Sequence, residues 1–202
     1  MREGVPAAML TIGVVLTGCQ TPSEDRYEPP PAWDQVVESA LERASEQGAS
    51  DAQLRDLRAA QDQGELTFPE LEEAVGRSLS CMRSADIPVI DATVDESAGY
   101  PRLDYAYGAS SEGRSAEQTD ALAQECLRTH SLYVETIYTS SPQVREARDV
   151  QLDQVREELV SCLEEAGLDV MADAEPWVLR RQATDLLIDD GTDCLVAAGL
   201  GP

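Results

Sequence analysis

Along most of this chain apolar residues recur at spacings of three and four, the period of a helix with one face turned inward. Residues 34–47 place Val37, Leu41 and Ala44 on one stripe, and Gly48 ends the segment. Ser50-Asp-Ala-Gln53 reads as a capping box, in which a serine and a glutamine satisfy each other's backbone N–H groups. It opens a second predicted helix that runs to about Ala60 with Leu54 and Leu57 inward. Thr67-Phe-Pro-Glu70 is a further box: Thr67 and Glu70 cap each other, Pro69 sits in a first turn whose amide needs no partner, and Leu66 can staple onto Leu71. The helix it opens reaches about Ala85 with Leu71, Val75, Leu79 and Met82 on one face and Cys81 at the margin.

The period changes at residue 87. IPVIDATVDESAGYPRLDYAYG, residues 87–108, alternates apolar and polar positions on both sides of a Glu-Ser-Ala-Gly turn, which predicts a β-hairpin. Ser115-Ala-Glu-Gln118 is another capping box, and the helix it opens carries Leu122, Cys126, His130, Tyr133 and Ile137 on one face. After Ser140-Ser-Pro142 the spacing predicts one long helix to Ala166, with Leu152, Val155, Leu159, Leu163 and Ala166 as its stripe. An extended piece, LDVMADAEP, leads into a last helix from about Trp177 to Ala198, with Gly191 placed to interrupt it. The predicted class is mainly α (α+β) with one small hairpin.

Residues 71–89, LEEAVGRSLSCMRSADIPV, and 154–170, QVREELVSCLEEAGLDV, match when aligned on their cysteines. Each leads through extended sequence to a helix with Cys before Leu, Cys126-Leu127 and Cys194-Leu195. The body is thus read as two diverged helix–extended–helix repeats, 33–140 and 141–202. A unit that brings its own pair of cysteines most simply closes its own disulfide, giving Cys81–Cys126 and Cys162–Cys194. Four cysteines allow three pairings, and crossed pairing between the repeats is the alternative. No two cysteines have the CxxC spacing of redox or zinc motifs.

Charge narrows the partners. Of 202 residues, 39 are acidic and 15 basic, a formal charge of -24, and every basic residue is Arg. The absence of Lys and Asn fits codon usage in a GC-rich genome. So negative a surface repels phosphate backbones, so nucleic acid is excluded as the expected partner. It also repels anionic headgroups, and membrane attachment has to come from another source.

That source is the N-terminus. Residues 4–16, GVPAAMLTIGVVL, are apolar but too short to span a bilayer, and they run directly into Leu16-Thr17-Gly18-Cys19. The stretch has the form of a signal-peptide core ending in a lipobox, and the tetrapeptide resembles the bacterial lipoprotein recognition sequence. The resemblance implies cleavage after Gly18 and a thioether-linked diacylglycerol on Cys19, whose two acyl chains suffice for stable anchoring on the extracytoplasmic face of the cell membrane. Residues 1–18 are then the signal peptide. Residues 19–32, ending in three prolines, are the lipidated Cys and a semi-rigid tether. With Cys19 lipidated, an even number of cysteines remains, as befits an exported chain.

Beyond the lipobox, Gly48-Ala-Ser-Asp-Ala-Gln-Leu54, Gly64-Glu-Leu-Thr-Phe68 running into Cys81, and Cys126 with Val134-Glu-Thr-Ile-Tyr138 resemble uncharacterised lipoproteins and secreted proteins of high-GC Gram-positive bacteria. The resemblance covers most of residues 40–138 and implies location and architecture, with no activity attached.

Candidate chemistry is sparse. His130, the one histidine, lies four residues after Cys126, so a Cys–His pair is conceivable, against a half-buried histidine beside a disulfide. Gly64 and Glu70 stand at the sixth and twelfth positions of a calcium-loop register. Its first half would be Ala59, Gln61 and Gln63, which lack the carboxylates such a loop needs. Asp185 with Asp189-Asp190-Gly191-Thr192-Asp193 is acidic but has no recognised loop spacing. No GxSxG, HExxH or complete Walker sequence occurs, and no cofactor or dedicated metal site is expected. The expected function is a non-enzymatic binding or structural module with an envelope protein or ligand as partner. The alternative is an envelope-acting enzyme or enzyme accessory that uses surface carboxylates.

Overall fold

The computed structural model describes residues 27–108 and 113–200, apart from the side chain of Asp91; the expected signal peptide, the expected lipobox and Cys19 lie outside this range. Among the described residues the chain is mainly helical, with one two-stranded antiparallel hairpin and two disulfides. In order come α1 (Trp33–Glu46), α2 (Asp51–Gln63), α3 (Phe68–Ser84), β1 (Val89–Asp95), β2 (Arg102–Tyr107), α4 (Ala116–His130), α5 (Leu132–Tyr138), α6 (Pro142–Gln154), α7 (Arg156–Glu165), α8 (Pro176–Asp190) and α9 (Cys194–Ala197).

Two clusters of buried side chains organise these elements. The first gathers α1 to α5, with Leu57, Leu66, Met82 and Ile137 fully buried. Burial of each such side chain contributes about 1.5–3 kcal/mol. The second gathers the end of α6 with α7 to α9 around Leu152, Leu159, Leu163 and Leu179. Helix α6 belongs to both, since Val144 packs into the first and Leu152 into the second. Each disulfide ties one cluster internally, Cys81–Cys126 joining α3 to α4 and Cys162–Cys194 joining α7 to α9, both with Cα atoms 5.7 Å apart. Each repeat therefore closes on itself, and the crossed alternative does not occur.

Three predicted helices differ in extent. Helix α2 continues past Ala60 to Gln63, where Gly64 adopts a left-handed conformation (φ 79°) that only glycine takes without strain. The helix predicted from Ser115 breaks at Ser131, and the partners there explain the break. In an unbroken helix the carbonyls of Arg128 and Thr129 would accept from the N–H groups of Leu132 and Tyr133. Instead the Gln53 amide donates to Arg128 O (2.8 Å), Ser50 N–H donates to Thr129 O (2.8 Å), and Tyr133 N–H donates to Gln53 Oε1 (2.9 Å). A fully buried glutamine from α2 thus repairs the helix that it interrupts. As a result α4 turns: Ala123 and Thr119 face inward, and Leu122, expected in the stripe, is 38% exposed.

The long helix predicted to Ala166 likewise divides at Val155 (φ -121°, ψ 19°) into α6 and α7. Arg156, just past the break, donates to the carbonyls of Ala172 (3.1 Å) and Ala174 (2.7 Å) and pairs with Asp153 (2.6 Å), clamping the extended segment onto the helix start. Ala166 is exposed at the end of α7 instead of completing the stripe. The last helix is interrupted at Gly191 (φ 76°), so the second repeat has a long helix, α8, inserted before the short α9 that carries Cys194.

In the hairpin Val89 pairs with Tyr107 and Asp95 with Arg102, with a bulge between Ile90 and Thr93 that adds one residue to β1. At the turn, the Asp95 carboxylate accepts from the N–H and hydroxyl of Ser97 (2.9 Å each) and from Arg102 (2.7 Å). These donors, the Ser97 amide foremost, hold its carboxyl at about 2.

Residues 27–31, in the segment expected to form a tether, lie on the body. Tyr27 packs against the second cluster, and Arg145 of α6 donates to the Pro31 carbonyl (2.9 Å).

Candidate functional site

Where the hairpin meets α5 and α6, the side chains leave a cleft of about 260 Å³. Its floor is apolar, made by Leu71 and Val75 of α3 and Leu103 of β2, and its rim is polar, made by Tyr100, Arg102, Asp104, Glu135, Tyr138, Thr139 and Arg148. Small numbers of placed polar groups around an apolar floor are the usual make-up of a ligand seat.

Each rim group is fixed by its neighbours. Arg148 of α6 donates from Nε and Nη2 to the Tyr100 hydroxyl (3.1 and 2.9 Å) and from Nη1 to Thr139 O (3.0 Å). Its guanidinium carbon lies 5.3 Å from the centre of the Tyr100 ring. Tyr138 donates to Pro101 O (2.7 Å), joining α5 to the hairpin, and burial pushes its phenol up to about 12. Glu135 accepts from Tyr105 at one oxygen (3.0 Å) and from Ser131 at the other (2.5 Å). From Ser131 the chain of bonds continues to Ser78, whose single hydroxyl proton faces the Ser131 hydroxyl (2.7 Å), with Cys126 O as a longer second acceptor (3.3 Å). One polar network therefore runs from the cleft rim to the first disulfide. Burial and the Glu135 carboxylate keep the Tyr105 phenol protonated far above its usual range.

Chemically the rim presents one phenol, Tyr138, that donates to the hairpin backbone, a second, Tyr100, that accepts from the Arg148 guanidinium, and a carboxylate, Glu135, with a partner at each oxygen. That arrangement orients a polar group resting on an apolar floor. The carboxylates that burial pushes upward lie elsewhere: Asp56, beside Arg77 on the α2–α3 face, and Asp149, near Arg180.

The residues singled out in the sequence have local roles. Ser50 accepts from Gln53 N–H (3.3 Å), but the Gln53 side chain serves the break at Ser131 instead of returning to Ser50. The Glu70 carboxylate accepts from the Thr67 N–H (2.7 Å) and from its hydroxyl (2.6 Å). Ser115 and Gln118 exchange bonds in both directions (3.2 and 3.0 Å). His130 ends α4 with Nδ1 buried and meeting no protein partner; burial first, and Arg77 second, lower its pKa. Cys126 is oxidised and offers it no thiol to activate. Ala59, Gln61 and Gln63 are helical residues of α2, so the calcium-like register falls on a helix and its cap.

The acidic stretch at the end of α8 resolves into helix-end contacts. Asp185 pairs with Arg181 (3.3 Å), the Thr192 hydroxyl donates to Asp190 (3.1 Å), and Asp193 accepts from Val196 N–H (3.0 Å) as the cap of α9. Among the described residues no group of three or more His, Cys, Asp and Glu side chains is arranged to hold a metal ion, and no helix is long and apolar enough to cross a membrane. Glu135 and Tyr138 belong to the stretch that carries the resemblance, but nothing in the sequence joins them to Tyr100 and Arg148, because the hairpin, α5 and α6 meet only in three dimensions.

In comparisons with known proteins, the chain matches no family model, no curated protein and no solved structure.

Proposed function

We propose that this protein is a lipoprotein anchored through Cys19 on the extracytoplasmic face of the cell membrane, with a body that binds an envelope component and performs no chemistry of its own. The observation that carries the reading is the pair of disulfides, each inside its own repeat. Bonds of this kind persist in oxidising compartments and suit a small exported body. The lipobox at Leu16-Thr17-Gly18-Cys19 supplies the anchor, and the cleft under the hairpin supplies the seat.

Photocrosslinking on intact cells tests the binding role. A crosslinking residue at Thr139, on the cleft rim, is expected to give a discrete adduct that the same residue at Asp62, on α2, does not give. The same adducts from both positions, or none from Thr139, would contradict a seat in the cleft.

A further inference from the structure

The outward face of α8 differs from the rest of this acidic molecule. Val178, Leu179 and Ala183 turn into the second core. At one helical turn's spacing, the other side presents Arg181, Thr184 and Ile188, flanked by Arg180 and Leu187; Trp177 opens this stripe, half-buried, with part of its ring against the second cluster. Ile188 is 74% and Leu187 40% exposed. Arg180 is half-buried and donates to Arg148 O (2.9 Å), which fixes it beside the stripe. Asp185, at the edge of the face, is held by Arg181. In a chain with 39 acidic residues, this face joins arginines, an indole and exposed aliphatics.

The second observation is where the N-terminal segment arrives. Tyr27, Glu28 and Pro29–Pro31 line one groove with Trp177, Arg180, Arg181 and Thr184, so the tether reaches the body on this same face. Glu28 is the one carboxylate among the described residues lining that groove. Tyr27 is eight positions after Cys19, and eight residues span at most about 29 Å even when fully extended.

We infer that the α8 face, with Trp177, Arg181 and Ile188 at its centre, rests on the lipid headgroups and sets the orientation of the body on the membrane. The inference builds on the anchor proposed at Cys19. A short leash ending on one face keeps that face near the bilayer, and a molecule of charge -24 approaches anionic lipid at lower cost through a face on which Arg180 and Arg181 stand beside the carboxylates Glu28 and Asp185. Indole and arginine side chains suit the interface, where a polar tip stays wet and an apolar body does not. The cleft under the hairpin is then held in a fixed orientation to the membrane.

The test uses the acylated full chain with Trp33→Phe, leaving Trp177 as the sole indole, in phosphatidylglycerol–phosphatidylcholine vesicles whose lipids are brominated high on the acyl chains. We expect Trp177 emission to be quenched at least about twofold relative to unbrominated vesicles, as for side chains seated at the headgroup boundary. Adding Arg181→Glu and Ile188→Glu, both exposed positions, should abolish the quenching while the protein still floats with the vesicles. Protein that floats with Trp177 unquenched overturns the orientation and leaves the anchor standing. Protein that does not float overturns the anchor, and the orientation with it.

Discussion

Single residues decide where this chain departs from simple periodicity, and Gln53 is the clearest case. Its amide spans from α2 to both sides of the break at Ser131, accepting from one backbone group and donating to another, with no exposed surface. Gln53→Leu fills a similar volume but leaves Arg128 O and Tyr133 N–H buried without partners. It should cost about 2 to 4 kcal/mol, read by urea unfolding; a loss under about 0.5 kcal/mol, the range of an ordinary surface change, would contradict this account. His130 gives a second test, because two influences oppose each other there. The net negative charge of the molecule favours the imidazolium, whereas burial and the nearby Arg77 disfavour it, and the local effects prevail. The folded pKa is depressed, so the folded state prefers neutral histidine. The associated stability is present above the unfolded value near 6.5 and is lost as pH falls through the folded pKa. The single histidine proton signal in NMR should therefore titrate below 6.5, and a midpoint at or above it would count against the buried placement of Nδ1.

At the scale of elements, the stripes of α1 and α3, the hairpin and the pairing within each repeat were legible in the sequence. These depend on local period and on a repeat whose halves each carry two cysteines. The breaks at Ser131 and Val155 were not legible, because each is held by distant partners: Gln53 and Ser50 for the first, the carbonyls of Ala172 and Ala174 for the second. A capping-box glutamine looks the same in sequence whether it bonds its own helix or another. The cleft has no signature in the sequence for the same reason, since its residues come from four separate segments. The disulfides yield a prediction at this scale. Closing separations of 45 and 32 residues, they should contribute about 4 kcal/mol each by the chain-entropy estimate. The second cluster has fewer buried side chains, so it depends more on its bond. Cys162→Ser with Cys194→Ser should therefore expose α7–α9 amides to rapid hydrogen exchange while α1–α3 stay protected. Uniform loss of protection across both clusters would mean that they unfold as one unit.

For the whole molecule, charge dominates. At -24, self-repulsion opposes the compact state, and salt screens it. Raising ionic strength from about 0.01 M to about 1 M shortens the screening length from about 30 Å to about 3 Å, so the thermal midpoint should rise. A fall would show that the few ion pairs, such as Arg102–Asp95 and Arg156–Asp153, outweigh the general repulsion. The same charge leaves a covalent lipid as the proposed route to the membrane, and the proposed location, orientation and function all depend on Cys19 carrying it. Mass spectrometry of the N-terminal peptide from membrane-extracted protein tests that claim most directly. A chain anchored at Cys19 should yield a peptide that begins at Cys19 and carries a thioether-linked diacylglycerol, and the Cys19→Ala chain should lack it and be released or left unprocessed. A peptide continuous through Gly18 and an unmodified Cys19, with the Cys19→Ala chain retained equally on the membrane, would contradict it.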